Sequence, residues 1–371
     1  MFGASFYLLL NKSAKLGRRI GTEKLPSQLF VTLAMKTFLL IVLFVLLSSS
    51  VDGQYPPIGI IDFYGLRSLS EHQGRQALQI KEGDSWSGSW AEAQRRLEAL
   101  PAVQQARIAA VCCEAGKTIL YIGIKEEGAP SLQFGSAPKG AIRLPETIIE
   151  AGKALDDALK EGSEKGDVGE DDSQGHALYS YPKARVIQQS FITFAAQDFK
   201  LLRAVLHKSA DAEHRALAAE IIAYAANKRD VVADLLYGMR DPNSGVRNNS
   251  MRALGVIARF AQQSPKRRIK VPVKPFIEML NSIVWTDRNK SSLVLYTLTE
   301  ERNPAVLSKL RERALLSLIE MSRWKSPGHA FGPFFILGRV GNISEDEIRK
   351  EWDSGKRETL IETVLRRVKS K

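Results

Sequence analysis

The chain has 371 residues, which is more than one ordinary domain holds, so its length indicates two folded parts with a joint. Its 53 basic and 41 acidic residues give a net charge of +12, which suits nucleic acid, anionic lipid or an acidic protein as a partner. Two cysteines in the whole chain exclude a disulfide scaffold.

The N-terminal region has the pattern of a secretory signal peptide. In residues 36–53 a lysine precedes an apolar run of about a dozen residues, and small and polar residues follow it. Met35 directly precedes this run, so we expect translation to start there and residues 1–53 to be removed. The sequence thus predicts an exported protein, bacterial periplasmic or extracellular. The alternatives are a membrane anchor formed by residues 37–47 and a buried helix.

Residues 54–128 predict a small α+β domain. Periodicity gives a strand, two helices and then two strands, with the helices on one face of the sheet. This segment resembles the POTRA domain family, in which no single residue is catalytic. The resemblance is carried by the opening strand at residues 58–65, a Leu-Pro-x-Val step at Leu100, Pro101 and Val103, and the closing strand at residues 122–126.

The two cysteines, Cys112 and Cys113, are adjacent in one predicted strand. Neighbours in a strand face opposite sides, so we expect Cys112 inside with Ile108 and Ala110, and Cys113 outside. In an oxidising compartment the pair could close a ring disulfide. Two unpaired thiols are the alternative, and the sequence leaves both open.

Residues 129–182 predict a loop, a helix through Leu155, and then an acidic, glycine-rich stretch without apolar periodicity. Such composition indicates a surface linker that is mobile in part. Gln174, Gly175 and His176 are unusual in this polar run, and we expect them to dock on the helices that follow.

Residues 183–371 predict stacked helical hairpins. The segment 209–263 contains two of them, with a turn at Asp241 and Pro242, and Arg215 stands 32 residues before Arg247 (247 − 215 = 32). These residues resemble the HEAT-like, armadillo-related repeat family. Its pattern is matched by Asp241, Pro242, Val246, Arg247, Ala253, Leu254 and Gly255.

The resemblance implies a mainly α fold: a C-terminal α-solenoid joined to the small POTRA-like α+β domain. It also implies a structural ladder of Asp and Arg side chains between repeats, to which Asp241 and Arg247 are assigned. Near the C-terminus, Ser344 and Glu347 predict a capping box, and residues 358–368 predict the last helix.

No phosphate-binding glycine loop or nucleophile elbow is present, and the five histidines never take a metal-ligand spacing. The sequence therefore predicts no cofactor, no metal site and no catalytic residue. The histidines are His72, His176, His207, His214 and His329.

Two clusters at predicted helix junctions are candidate binding sites. The first joins two tryptophans with charged and polar residues in a platform for stacking or for holding an acidic group: Trp285, Asp287, Arg288, Asn289, Lys290, Trp324 and His329. Alternatively, the tryptophans fill gaps between helices and Asp287 and Asn289 cap one. The second is a basic loop that contacts phosphates or lipid headgroups, or is simply solvated: Lys266, Arg267, Arg268 and Lys270.

These patterns favour an exported, non-enzymatic scaffold that holds a protein or a component of the cell envelope, with membrane-surface association as a further option. The alternative is a basic HEAT-like nucleic-acid-binding protein or a DNA glycosylase-like enzyme, because such enzymes use Trp, Asp and Arg on this kind of surface. Export would argue against a nucleic-acid partner. The oligomeric state is left open.

Overall fold

A computed structural model describes residues 56–86, 88–263 and 265–369, without the side chains of Arg267 and Lys369. The predicted signal peptide, the start at Met35 and the alternative anchor at residues 37–47 all lie outside the described residues. Within these ranges, no helix combines the length and the apolar character needed to cross a bilayer.

The N-terminal part is a three-stranded sheet with two helices, in the predicted order. Strand β3 is central, with β1 parallel on one side and β2 antiparallel on the other. Helices α1 and α2 separate β1 from β2 in the sequence. The elements are β1 (Ile58–Tyr64), α1 (Glu71–Leu78), α2 (Trp90–Glu98), β2 (Val103–Glu114) and β3 (Lys117–Glu126). The order agrees with the prediction, and the POTRA resemblance itself stays a prediction.

Strand β3 is buried on both faces. Leu120, Ile122 and Ile124 share a core with α1 and α2, whereas Ile119 and Tyr121 belong to the core of the helices that follow. A strand covered on both faces reads as a continuous apolar run, as this one does. The sheet is therefore a middle layer, with α1 and α2 on one side and the helical array on the other.

The adjacent cysteines lie at the end of β2, where the strand pairing is irregular. The register shifts between Val111 and Glu114, so residues beyond Val111 do not continue the inside–outside alternation. Cys112 and Cys113 are both exposed, and the prediction that Cys112 faces the core is wrong for this reason. Their sulfur atoms are bonded to each other.

The rest of the described chain is mainly helical, which confirms the predicted fold class. Helices α3 and α4 come first, and five helical hairpins follow. The helices are α3 (Glu146–Glu164), α4 (Pro182–Gln197), α5 (Phe199–Lys208), α6 (Ala212–Ile222), α7 (Lys228–Gly238), α8 (Ser244–Gln263), α9 (Lys274–Met279), α10 (Trp285–Leu298), α11 (Pro304–Ser322), α12 (Pro327–Val340), α13 (Glu345–Asp353) and α14 (Arg357–Lys369).

The second helices of the hairpins form one continuous layer. Helix α6 packs on α8, α8 on α10, α10 on α12 and α12 on α14, and each hairpin also packs its two helices together. Side-chain caps set several of the helix starts. Asp211 accepts from the amides of Glu213 and His214 at the start of α6, and Ser344 with Glu347 forms the predicted capping box of α13.

The segment before α3 follows the hairpin turns instead of forming a free linker. The amide of Gly135 donates to Arg240 O at 2.7 Å and that of Gly140 to Lys208 O at 2.8 Å, while the amide of Leu144 donates to His214 Nδ1 at 2.9 Å. Backbone bonds to successive turns fix this segment along the array. From Pro56 onward the chain forms one compact unit, in contrast to the two jointed parts that length suggested.

Candidate functional site: an open helical face and an acidic strap

A ladder of buried ion pairs connects successive second helices. Arg215 of α6 donates to both carboxylate oxygens of Asp241 at 2.7 and 2.9 Å, and Arg247 of α8 donates to those of Asp287 at 2.9 and 2.8 Å. Two parallel bonds per pair fix the guanidinium plane, and leaving one partner unpaired would be costly. Asp241 and Arg247 both lie in this ladder, each paired with a residue of a neighbouring repeat.

The two tryptophans of the predicted platform are buried between the sheet and the helices. Trp285 stacks on Tyr121 with ring centroids 5.2 Å apart, and Trp324, which is 1% exposed, lies 4.8 Å from the same ring. The expected exposed platform is therefore not formed, because Tyr121 of β3 covers both indoles. The indole N–H groups have no hydrogen-bond partner among the described residues.

The polar members of that cluster are divided between the ladder and the surface. Asp287 is fully buried on Arg247, and Asn289 is also buried. Arg288 donates to Ser282 O at 2.6 Å and to Glu320 at 2.7 Å, and it lies over the Tyr64 ring. Asp287 is thus withdrawn from solvent, which removes the support that this segment gave to a glycosylase-like site.

His329 and Lys290 are the half-buried members of the cluster. His329 Nδ1 is 2.7 Å from Tyr121 Oη, and burial lowers the pKa of His329 to about 4. Burial also lowers the pKa of Lys290 to about 8, with Arg252 acting in the same direction and Glu170 against it. Lys290 forms no ion pair or hydrogen bond with a residue that the structure describes. Within the tryptophan cluster, Lys290 is the charged residue whose side chain has no partner in the described chain.

Lys290 belongs to a wider surface of the second-helix layer, which we name the open face. Arg252 and Arg259 of α8 lie two helical turns apart on the same side, and Leu293 of α10 is 46% exposed. Phe331 of α12 is half-buried and packs against Tyr296 with centroids 5.6 Å apart. The open face, defined as Arg252, Arg259, Lys290, Leu293 and Phe331, is thus basic with apolar positions.

Part of the open face is covered by the predicted linker, residues 165–181, which we name the strap. Its two short strands, β4 (Glu170–Asp171) and β5 (Leu178–Tyr179), pair antiparallel. Arg252 donates to the Glu170 carboxylate and, at 2.8 Å, to Tyr179 Oη, and Arg259 donates to Asp172 at 2.5 Å. The strap is therefore an acidic, extended segment held by the arginines of α8.

The tip of the strap docks on the helices, as expected from the sequence, with Gly175 and His176 buried and Gln174 exposed. His176 lies 3.2 Å from Lys228 Nζ and beside the Tyr224 ring, and Tyr224 Oη donates to Ala177 O at 2.8 Å. Burial and Lys228 lower the pKa of His176 to about 4. Burial lowers the pKa of Lys228 to about 8. The tip thus carries a neutral imidazole against a buried ammonium group.

A small cavity of about 30 Å³ lies beneath the strap, lined by His176, Glu220, Tyr224, Asn249 and Arg252 among others. This volume suits a water molecule or two and no larger ligand. His176 Nε2 is buried without a partner in the described chain, so a water in the cavity would satisfy it. The described residues contain no group of three or more His, Cys, Asp or Glu side chains placed to hold a metal ion.

The predicted basic loop follows α8. Its residues Lys266, Arg268 and Lys270 are exposed, and a short 3₁₀ turn covers Pro265–Arg267. The side chain of Arg267 lies outside the described part. Contact of this loop with phosphates or lipid stays a prediction.

Sequence reasoning missed Arg252, Arg259 and their partners in the strap. A signal was present, because two arginines seven positions apart lie on one side of a helix and an acidic run precedes them in the chain. Composition alone could not show that the two segments meet.

Comparison with known proteins finds a family similarity over part of this array. A family model described as HEAT repeats matches residues 199–268, which cover α5 to α8 and the turn after them. A solved structure of a computationally designed armadillo repeat protein for modular peptide recognition is 12% identical, with a TM-score of 0.30, over 50% of this chain and 92% of that chain. No curated protein matches the sequence.

Proposed function

We propose that this chain, whose residues 199–268 match a model of HEAT repeats, is a binding scaffold that holds a protein partner against its open face. Stacked helical hairpins present a long surface instead of a closed pocket, which suits a macromolecular partner. Scaffolding is the usual role of repeats of this type.

The observation that carries the proposal is the strap. It is a short hairpin of two paired strands, and the open face holds its acidic strand through the ionic contacts of Arg252 and Arg259, while α4, α7 and the turn before α7 contact the rest of it. Beyond the strap, Lys290 has no partner in the described chain and Leu293 is 46% exposed. The open face therefore has room and chemistry for a second segment.

The proposal includes export. The support for export is the apolar run of residues 37–47 after Lys36. Export would place the partner in the cell envelope or outside the cell. N-terminal sequencing of the protein from its natural source tests this part. A mature chain that begins near residue 54 is expected, and one that retains residues 1–53 in the cytosol would overturn export.

Site-specific photo-cross-linking in the producing cells tests the scaffold itself. A photoreactive residue replaces Leu293 on α10 in one variant and Leu316, 70% exposed on the first helix α11, in the control. We expect one protein to cross-link at position 293 and not at position 316. No adduct at position 293, or the same adducts at both positions, would overturn the proposed function.

A further inference from the structure

Helices α8 and α10 present equivalent stripes to the open face. Arg288 of α10 is the equivalent of Arg247 of α8, because each donates to the backbone oxygen six residues before it and pairs with a carboxylate further along the chain. Arg252 and Leu293 each stand five residues after these arginines (252 − 247 = 5 and 293 − 288 = 5). Lys290 likewise takes the position of Asn249. Consecutive repeats thus each offer a basic group beside an apolar or polar group, with the two positions exchanged: the basic group is Arg252 on α8 and Lys290 on α10.

The strap shows what kind of segment α8 accepts. Two carboxylates, those of Glu170 and Asp172, meet Arg252 and Arg259, and the ring of Tyr179 lies 5.4 Å from the Arg252 guanidinium. Its chain is extended there, since Glu170 and Asp171 form a strand. The occupant of α8 is therefore acidic, extended and partly apolar.

On α10 the equivalent contacts are unmet. Lys290 is half-buried beside Arg252, and its ammonium group has no carboxylate partner among the described residues. Leu293 adds an exposed apolar side chain within the same helical turn. Burial removes water from the ammonium group of Lys290, and a carboxylate that pairs with it would replace that lost hydration. This stretch of α10 therefore favours an anion next to an apolar group.

We propose that an extended acidic segment of the partner protein lies across α10 beside the strap, with a carboxylate on Lys290 and an apolar side chain on Leu293. This inference rests on the proposed function and names the chemistry of the partner. Residues 1–53 hold six basic and two acidic residues, so the exported chain would carry a net charge of +8 (12 − 6 + 2 = 8). This charge agrees with the inference, because a basic scaffold attracts acidic chains over long range.

The strap remains in place in this arrangement. Its tip is buried at Gly175, His176, Ala177 and Leu178, and displacing it would expose those residues and break the bond from Tyr224 to Ala177. The incoming segment therefore adds to the strap and does not replace it.

Fluorescence anisotropy with the full chain tests the inference. The probe is a short labelled peptide that repeats Glu-Asp-Leu-Gly, and the controls are its Gln-Asn-Leu-Gly counterpart and single-stranded DNA of the same charge. We expect the acidic peptide to bind and the neutral peptide not to bind. Lys290→Gln should weaken binding about tenfold, as expected for loss of a charge-assisted hydrogen bond.

Charge variants at exposed leucines make the test independent of folding. Leu293→Glu should weaken binding of the acidic peptide and Leu293→Lys should strengthen it, because the added charge lies beside the bound segment. The same changes at Leu316, and Lys309→Gln on the same helix α11, should alter affinity by less than about twofold, because screening weakens charges far from the bound segment.

Three results would overturn the inference. The first is no binding of the acidic peptide, and the second is equal binding of the neutral peptide. The third is DNA binding that is as tight as binding of the acidic peptide and that Lys290→Gln weakens by the same factor. The proposed function fails separately, through the cross-linking result at position 293. A protein that cross-links there through a neutral or basic segment would retain the scaffold and overturn only the acidic partner.

Discussion

Glu126 is a buried carboxylate that fixes the loop between β1 and α1. Its oxygens accept hydrogen bonds from the amides of Arg67 at 2.6 Å, Ser68 at 2.8 Å and Leu69 at 3.1 Å, and from the Ser68 hydroxyl. Burial alone would raise the pKa of this carboxyl. The four donors outweigh burial and lower the pKa of Glu126 to about 2.

A pH-dependent stability follows from this single residue. Because the folded pKa of Glu126 lies below its ordinary 4.5, its contribution is complete above pH 4.5 and is lost as the pH falls toward 2. Between pH 6 and pH 3, we expect the free energy of urea unfolding to fall by about 2 kcal/mol more in the wild type than in Glu126→Gln. Equal falls in the two proteins would contradict this role.

The ladder shows which residues the sequence could assign. Asp241 and Arg247 were identifiable because they flank an Asp-Pro turn and because Arg215 repeats the pattern one unit earlier. Asp287 and Glu320 were not, since the loop after α8 lengthens the next repeat and shifts their spacing. The sequence therefore predicted Asp287 at a binding surface. In the structure its carboxylate pairs with Arg247 and is buried.

At the scale of an element, the strap is where composition misled most. Acidic and glycine-rich stretches without periodicity usually remain solvated, and residues 165–181 have that composition. What orders them is the matching of their carboxylates to Arg252 and Arg259 and the burial of the tip. Neither contact is local, so no pattern within the strap could predict it.

The tip of the strap depends on Gly175. Its φ of +75° lies in the left-handed region, and a Cβ there would meet Phe260 Cδ1 at 2.7 Å and Lys228 Cε at 3.0 Å. Gly166 has φ of +72°, and a Cβ there would meet nothing within 4 Å. An alanine at position 166 would therefore have the same unfavourable backbone conformation without a steric clash. We expect Gly175→Ala to accelerate amide hydrogen exchange across residues 170–179 by about tenfold or more, and Gly166→Ala to leave it nearly unchanged.

This comparison separates two ways of holding the strap. Equal exchange in the two alanine variants would mean that the tip contributes little and that the partly exposed ion pairs of α8 hold the segment. Such pairs are usually worth at most about 1 kcal/mol, which is why we expect the tip to dominate.

At the scale of the whole molecule, the sheet and the helices share a core. Tyr64 Oη donates to Ile283 O at 2.8 Å, and the amide of Lys325 donates to Asp62 at 2.9 Å. Sequence patterns predicted both parts and the order of the N-terminal elements along the chain. Contacts between residues so distant in the chain produce no periodic pattern, so the sequence did not predict them. The continuous apolar run of β3 was the available sign that both of its faces are covered.

Gly123 of β3 packs closely against the backbone of the helical part, and it provides a test of the coupling between the two parts. A Cβ at Gly123 would lie 2.0 Å from Ile283 O, whereas one at Gly328, at the start of α12, would meet nothing within 4 Å. We expect calorimetry to show one unfolding transition for the wild type and for Gly328→Ala. Gly123→Ala should show two, because the sheet then unfolds before the helices. A single, unshifted transition in Gly123→Ala would mean that the shared core does not depend on this contact.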